Sequence, residues 1–241
     1  MKTKIKLLAN VYKKLQSCRS SNIISVENIF YGNESNPPCI LFEYHSHNLI
    51  DKVASLKSYQ KIGLIYEIAH TMRRVHGAGL IHRDLRPENI LLNRKMHPII
   101  TDFGISELMT VTQQVDKEKN NENRLIFIAP ELLNKNEEYT NKVDVFSFGM
   151  IMYFILASGE LPHITSNDIV KGQLPSIPDS FNDLSNNIII KSLSNDPEER
   201  PSFNDIIRVI KENEFNLIDD FEKDRHYQQY QQSCQAHCAY Q

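Results

Sequence analysis

No run of apolar residues in this chain is long enough to cross a bilayer. The most hydrophobic stretch, Val145 to Ala157, covers 13 residues and contains Ser147 and Gly149, where a spanning helix needs about 20. It reads as a buried core helix, and no membrane span is expected. An excess of charge of either sign is also lacking. The formal net charge of -3 provides no electrostatic footprint for nucleic acid or an anionic lipid surface, so nucleic acid is not an expected partner. The basic start, Met1-Lys2-Thr3-Lys4-Ile5-Lys6-Leu7-Leu8, has neither a long apolar core nor a small-residue cleavage site. It reads as the beginning of an amphipathic helix and not as a signal peptide. Cysteine is scarce. Without a secretory signal, Cys18, Cys39, Cys234 and Cys238 are expected to be reduced thiols in a cytoplasmic protein. Finally, no aspartate or glutamate occurs before Glu27, which denies the first helix any carboxylate for an ion pair.

What is present suits one globular domain: 241 residues, 41% hydrophobic and 24% charged, enough to bury a sizeable core. Leu7, Leu8, Val11, Tyr12 and Leu15 recur at helical spacing, so the chain should open with an amphipathic helix. Ile23-Ile24-Ser25-Val26 and Cys39-Ile40-Leu41-Phe42 are β-prone runs on either side of the turn signal Gly32 to Pro38, which predicts a hairpin. Ile65, Ile68, Ala69, Met72 and Val75 mark a second helix ending at Gly77 and Gly79. Two small strands are expected at Ile90-Leu91-Leu92 and Ile99-Ile100. The polar stretch from Leu108 to Leu125 shows no period and reads as a long functional loop. Helical patterns follow over Lys142 to Ser158, Leu184 to Leu193 and Phe203 to Lys211. No internal repeat is visible.

Three short motifs occur in fixed order: His82-Arg83-Asp84-Leu85-Arg86-Pro87-Glu88-Asn89, Asp102-Phe103-Gly104 and Ala129-Pro130-Glu131. One alone is weak, but three with sensible gaps are not an accident. Together they resemble the catalytic half of a eukaryotic protein kinase, whose signature runs H-R-D-L-x-x-x-N, D-F-G, A-P-E. The resemblance implies an α+β, mainly α fold: a protein-kinase-like C-lobe with a residual helix and β-hairpin of the N-lobe. Residues 1–45 would be the N-lobe remnant with the hinge, 46–218 the C-lobe, and 219–241 a polar tail.

Phosphoryl transfer asks for a held nucleophile, metal ions on the phosphates and positive groups where charge accumulates. The resemblance implies ATP and Mg²⁺ as cofactors and a protein substrate or partner protein. By it, Asp84 would accept the proton of a substrate hydroxyl, and Arg86, standing where Ser/Thr kinases carry Lys, would meet the phosphate. Arg and Lys differ in shape and hydration; with Pro87-Glu88 beside it, Arg86 makes the octet a hybrid of the kind seen in the tyrosine-kinase-like group, leaning to Ser/Thr. Asn89 and Asp102 would hold Mg²⁺ through oxygen, the donor that ion prefers. Phe42-Glu43-Tyr44-His45 resembles the hinge, with Phe42 as gatekeeper, the backbones of Glu43 and His45 against adenine, and Leu91 beneath it. Asp144-Val145-Phe146-Ser147-Phe148-Gly149 resembles the start of the central C-lobe helix. Arg200 is expected to pair with Glu131 in the interior.

Two departures stand out. Arg124 occupies the place, five residues before Ala129, where Ser/Thr kinases usually have Thr, with Asn123 replacing a Gly. Thr110 and Thr112 are candidate phosphorylation sites, with Arg83 as the receiving cation. The family's Gly-rich loop and strand lysine are not found, and its helix glutamate aligns near Leu8. The expectation is therefore a protein kinase by family that is weak or inactive as this polypeptide. The alternative is a pseudokinase or kinase-derived binding module. Cys234, His237 and Cys238 are metal-binding residue types, but one cluster does not make a closed four-ligand site.

Overall fold

A computed structural model describes residues 2–33, 36–104, 110–135, 138–213 and 232. Within them the protein is α+β and mainly helical. The opening helix, α1 (Lys2–Gln16), buries Ala9, Tyr12 and Leu15, the apolar stripe its spacing predicts. The hairpin follows as β1 (Val26–Phe30) and β2 (Cys39–Phe42), paired antiparallel from Val26 opposite Phe42 to Phe30 opposite Cys39.

The first strand begins later than its β-prone residues suggest. Ile23 and Ile24 serve instead as a joint: Ile23 bridges Ile100 in parallel, and the Ile24 amide donates to the Ile100 carbonyl at 3.0 Å. A buried polar set reinforces this joint. Asn22 donates to Glu67 at 3.0 Å and to the Pro98 carbonyl at 2.8 Å, and His97 Nδ1 lies 2.8 Å from Glu67. The segment after α1 is thereby fastened to the larger helical body.

That body starts with β3 (His47–Asn48), the short α2 (Leu49–Lys52) and the long α3 (Ser58–Gly77). Every α3 residue from Lys61 to Met72 is buried, so this helix lies inside the fold. It ends where Gly79 takes a left-handed backbone, φ 67°, a conformation glycine adopts at no steric cost. Strands β4 (Ile90–Leu92) and β5 (Pro98–Ile100) join β3 in a sheet ordered β3-β4-β5.

The stretch read from the sequence as a loop, Leu108 to Leu125, is corrected by the structure. Where described it is helical, with α4 (Val111–Glu118) and α5 (Glu122–Leu125). Thr110 starts α4 through a capping box with Gln113. Val111 and Val115, one turn apart, bury a narrow apolar edge, too sparse to register as a period.

After α6 (Pro130–Leu133), helix α7 (Lys142–Leu156) crosses the centre, with every residue from Val143 to Ile155 buried. A helix apolar on all sides belongs inside a protein, which is where the 13-residue run goes. Among the described residues no helix is long and apolar enough to cross a membrane. Helices α8 (Ser166–Val170), α9 (Asp183–Ser192) and α10 (Phe203–Glu212) complete the fold. At Gly149 a Cβ would meet Ser192 Cβ at 2.8 Å, so α7 and α9 approach closely there. Cys18 is buried and Cys39 exposed, both as free thiols. Cys234, His237, Cys238 and the remainder of the expected tail, residue 232 apart, lie outside the described residues.

Candidate active site

The chain from His82 to Asn89 is shaped by one carboxylate. Asp144, fully buried at the start of α7, accepts the amides of His82 at 2.9 Å and Arg83 at 2.8 Å, while His76 Nε2 lies 2.8 Å away. Burial alone would raise its pKa. The His76 hydrogen bond, the charges of His76 and His82 and the His82 amide outweigh that and hold the carboxyl below its ordinary value. Arg83 then takes a left-handed backbone, φ 65°, uncommon for a side-chain-bearing residue and held here by the surrounding bonds.

This turn brings Asp84 and Asn89 together. Asn89 Nδ2 donates to the Asp84 carbonyl at 2.7 Å and to its carboxylate at 2.9 Å. Asn89 is fixed in turn by the 3-10 turn Pro87–Asn89. Burial raises the pKa of Asp84, opposed by the charges of Arg86 and His82 and by the Asn89 hydrogen bond, while the charge of Glu118 pushes it further up. A carboxylate partly stripped of water but still charge-supported suits a proton acceptor.

The backbone just before Asp102 is tied to the same loop. The Thr101 amide donates to the Asn89 carbonyl at 3.0 Å, and His82 Nε2 lies 2.8 Å from the Thr101 carbonyl. Asp102 itself sits at φ 62°, and Phe103 is buried against the His82 ring at a centroid distance of 4.5 Å. Above it lies α1. The Tyr12 ring packs on Phe42 at 4.9 Å, and its phenol is pushed above the ordinary range by burial and by the Asp102 charge, with the Phe103 backbone hydrogen bond acting the other way. Leu8 lies over Gly104, where a Cβ would be 2.5 Å from Leu8 Cδ2.

Arg86 is held loosely. Its Nε is 3.6 Å from Asp84 Oδ1 and its Nη1 is 3.6 Å from Glu118 Oε1, beyond good hydrogen-bond range. Nε is buried with no hydrogen-bond partner among the described residues. The expected adenine-contacting residues are less closely gathered. Phe42 ends β2, the Glu43 amide is bound to the Ser25 carbonyl at 3.0 Å, His45 lies 3.9 Å from the Glu43 carboxylate, and Leu91 is half-buried in β4 opposite Asn48 and Ile99.

Three residues of this site escaped the sequence: Gln114, Glu118 and Tyr139. Arg83 Nε donates to Gln114 Oε1 and Gln114 Nε2 returns a bond to the Arg83 carbonyl, both at 2.8 Å, and Arg83 Nη1 donates to the Tyr139 hydroxyl at 2.9 Å. Arg83 is therefore engaged by Gln114 and Tyr139. Thr110 caps α4. Arg124 fills its unusual position by bridging Glu88 at 3.1 Å and Glu118 at 3.2 Å. The capping-box spacing of Thr110 and Gln113 was the available signal for α4.

The donor chemistry fits magnesium delivered with phosphates. Asn89 spends its amide nitrogen on Asp84, which leaves its oxygen for a cation, and Asp102 adds a carboxylate. No group of three or more His, Cys, Asp or Glu forms a metal cluster among the described residues. Mg²⁺ commonly needs only one or two protein oxygens, because water and phosphate supply the rest.

Residues 1–210 match the family model for protein tyrosine and serine/threonine kinases. The chain belongs to the protein kinase family. Two probable serine/threonine-protein kinases of Dictyostelium discoideum are similar, at 30% identity over 75% of this chain and 14% of the relative, and at 33% over 73% and 20%. The serine/threonine/tyrosine-protein kinase HT1 of Arabidopsis thaliana is 29% identical over 82% of this chain and 55% of its own length. The kinase-family chain thus spans between about a seventh and about half of these relatives.

Proposed function

We propose that this kinase domain binds Mg²⁺–ATP and serves phosphoryl transfer to serine or threonine hydroxyls of a protein. The observation that carries it is the joining of Asp84 to Asn89 by two hydrogen bonds, with the underbound Arg86 guanidinium beside them. In this reading Asp84 orients the hydroxyl and takes its proton. Asn89 and Asp102 hold the metal, which neutralises phosphate charge when bound. Arg86 supplies the cation that charge on the transferred group requires. Phe42, Glu43, His45 and Leu91 line the adenine side. The named Ser/Thr kinases among the relatives support the substrate class.

One observation favours a second reading, a nucleotide-binding module without catalysis. Helix α1 carries no carboxylate, and Leu8 sits on Gly104 where an ion-pairing glutamate is expected. Loss of one preorganised charge-stabilising group lowers rate about a hundred- to thousandfold. The 241-residue polypeptide is therefore expected to bind Mg²⁺–ATP yet turn over well below about 1 s⁻¹, the low end for kinases. A thermal shift titration with millimolar Mg²⁺–ATP tests binding. The expected result is stabilisation that D102N abolishes; no shift at millimolar ATP refutes an ATP-using role. A radiolabelled transfer assay then separates the two readings.

A further inference from the structure

Towards its C-terminal end α3 gathers positive charge that the active site does not use. His70, Arg73 and Arg74 share one face at helical spacing. Lys211 of α10 comes up beside them, with its Nζ 5.9 Å from the Tyr66 ring centroid and the Tyr66 and His70 rings 6.0 Å apart. Arg73 Nη2 lies 2.9 Å from His70 Nε2. A guanidinium can only donate, so Nε2 accepts and the proton of the neutral ring sits on Nδ1. His70 is 6% exposed, yet Nδ1 has no hydrogen-bond partner among the described residues, and neither has the buried Nε of Arg73. The helix dipole favours cations in a last turn, and Arg74 is bound to the Cys18 carbonyl at 2.8 Å. Neither fact gives these two donors an acceptor.

We propose that His70, Arg73 and Lys211 form an anion site that takes a phosphate group. It shares no residue with the active site and is independent of the roles assigned to Asp84, Arg86 and Asn89. A buried donor without an acceptor marks the place of a water or an ion, and charge decides between them. Burial, and after it the charges of Arg73, Arg74 and Lys211, push the His70 pKa down to about 4. Water would leave those three cations unneutralised, whereas an anion satisfies donors and charge together. Phosphate fits better than a single carboxylate. It brings three acceptor oxygens and about two negative charges to His70 Nδ1–H, Arg73 Nε–H and the Lys211 ammonium. Lys211 is exposed and Arg73 half-buried, so the phosphate enters from their side, either free or as a monoester.

The test follows the His70 ring by NMR in the full chain as inorganic phosphate is added at neutral pH and matched ionic strength. The expected result is a saturating shift of the His70 signal with a Kd on the order of 1 mM. The ring's own titration should also move upward, because an adjacent anion favours the charged imidazole. R73M should abolish the phosphate-dependent shift, and K211Q, at an exposed position, should weaken binding about threefold. O-phosphoserine separates the two sources: tighter binding than inorganic phosphate supports a monoester as the ligand, and equal or weaker binding supports the free ion. A His70 signal unmoved by about 10 mM phosphate, or moved equally by acetate or chloride, overturns the site. Undiminished phosphate binding by both variants overturns it as well. Should R73M lose its cooperative melt, K211Q decides, and an affinity equal to wild type then refutes the site.

Discussion

Replacing Asp144 by alanine should both unfold part of the protein's stability and dissolve the site. The side chain is fully buried and is the acceptor for the His82 and Arg83 amides, with His76 as third partner. Alanine leaves two backbone donors and a histidine without an acceptor, in a place water does not readily reach. Each unsatisfied buried group costs about 1–3 kcal/mol, so D144A should lose at least about 3 kcal/mol. For a domain of this size that corresponds to a melting temperature lower by roughly 6 °C or more.

The effect should depend on pH with a definite sign. The Asp144 carboxyl is held below its ordinary pKa in the fold. Its charge therefore contributes stability above the unfolded value of about 3.9, and that contribution is lost as pH falls through the lower folded value. Urea denaturation followed by far-ultraviolet circular dichroism, at pH 7 and again below pH 4, measures both. The gap between wild type and D144A should narrow in acid. A loss below about 1 kcal/mol at pH 7 would refute the claim that this carboxylate shapes the catalytic loop.

Other substitutions probe separate links. Arg200 binds Glu131 with two bonds of 2.7 and 2.8 Å and also reaches the carbonyls of Ser194 and Lys142; R200M should cost about 3–5 kcal/mol by urea melt, and replacing both partners with apolar residues should cost less. G149A should lose on the order of 1–3 kcal/mol because its methyl meets Ser192 and Leu193, unless calorimetry shows α7 and α9 parting freely. Burial keeps the Asp84 pKa high, so at pH 7 its ionised form weakens the fold relative to acid, where it is protonated. D84N should therefore melt at or slightly above the wild-type temperature while any transfer activity disappears; a large drop in melting temperature would make Asp84 a structural residue.

Much of the site was legible because its chemistry lies in contiguous letters. Asp84 and Asn89 share one octet, so a tight turn alone brings them together, and a short hairpin separates Asn89 from Thr101, whose amide returns to the Asn89 carbonyl. The Arg200–Glu131 pair came from the family pattern, and the structure forms it. Helix α4 was illegible for the opposite reason. Its only apolar anchors are Val111 and Val115, and its other anchors, Gln114 to Arg83 and Glu118 to Arg86, are tertiary contacts between polar residues that leave no period. The same applies to Ile23 and Ile24, whose β-prone character is used in a joint with Ile100 and not in the hairpin. Propensity was right there; the partner was not readable.

Whether one metal–triphosphate position lies between Asn89 and Asp102 can be read directly by NMR with Mn²⁺–ATP, whose unpaired electrons broaden nearby resonances. The account predicts that the Asn89 side-chain amide signal disappears with Mn²⁺–ATP, persists with Mn²⁺ alone, and persists with both in D102N. An Asn89 signal that stays sharp while Mn²⁺–ATP broadens residues elsewhere in the protein would contradict it.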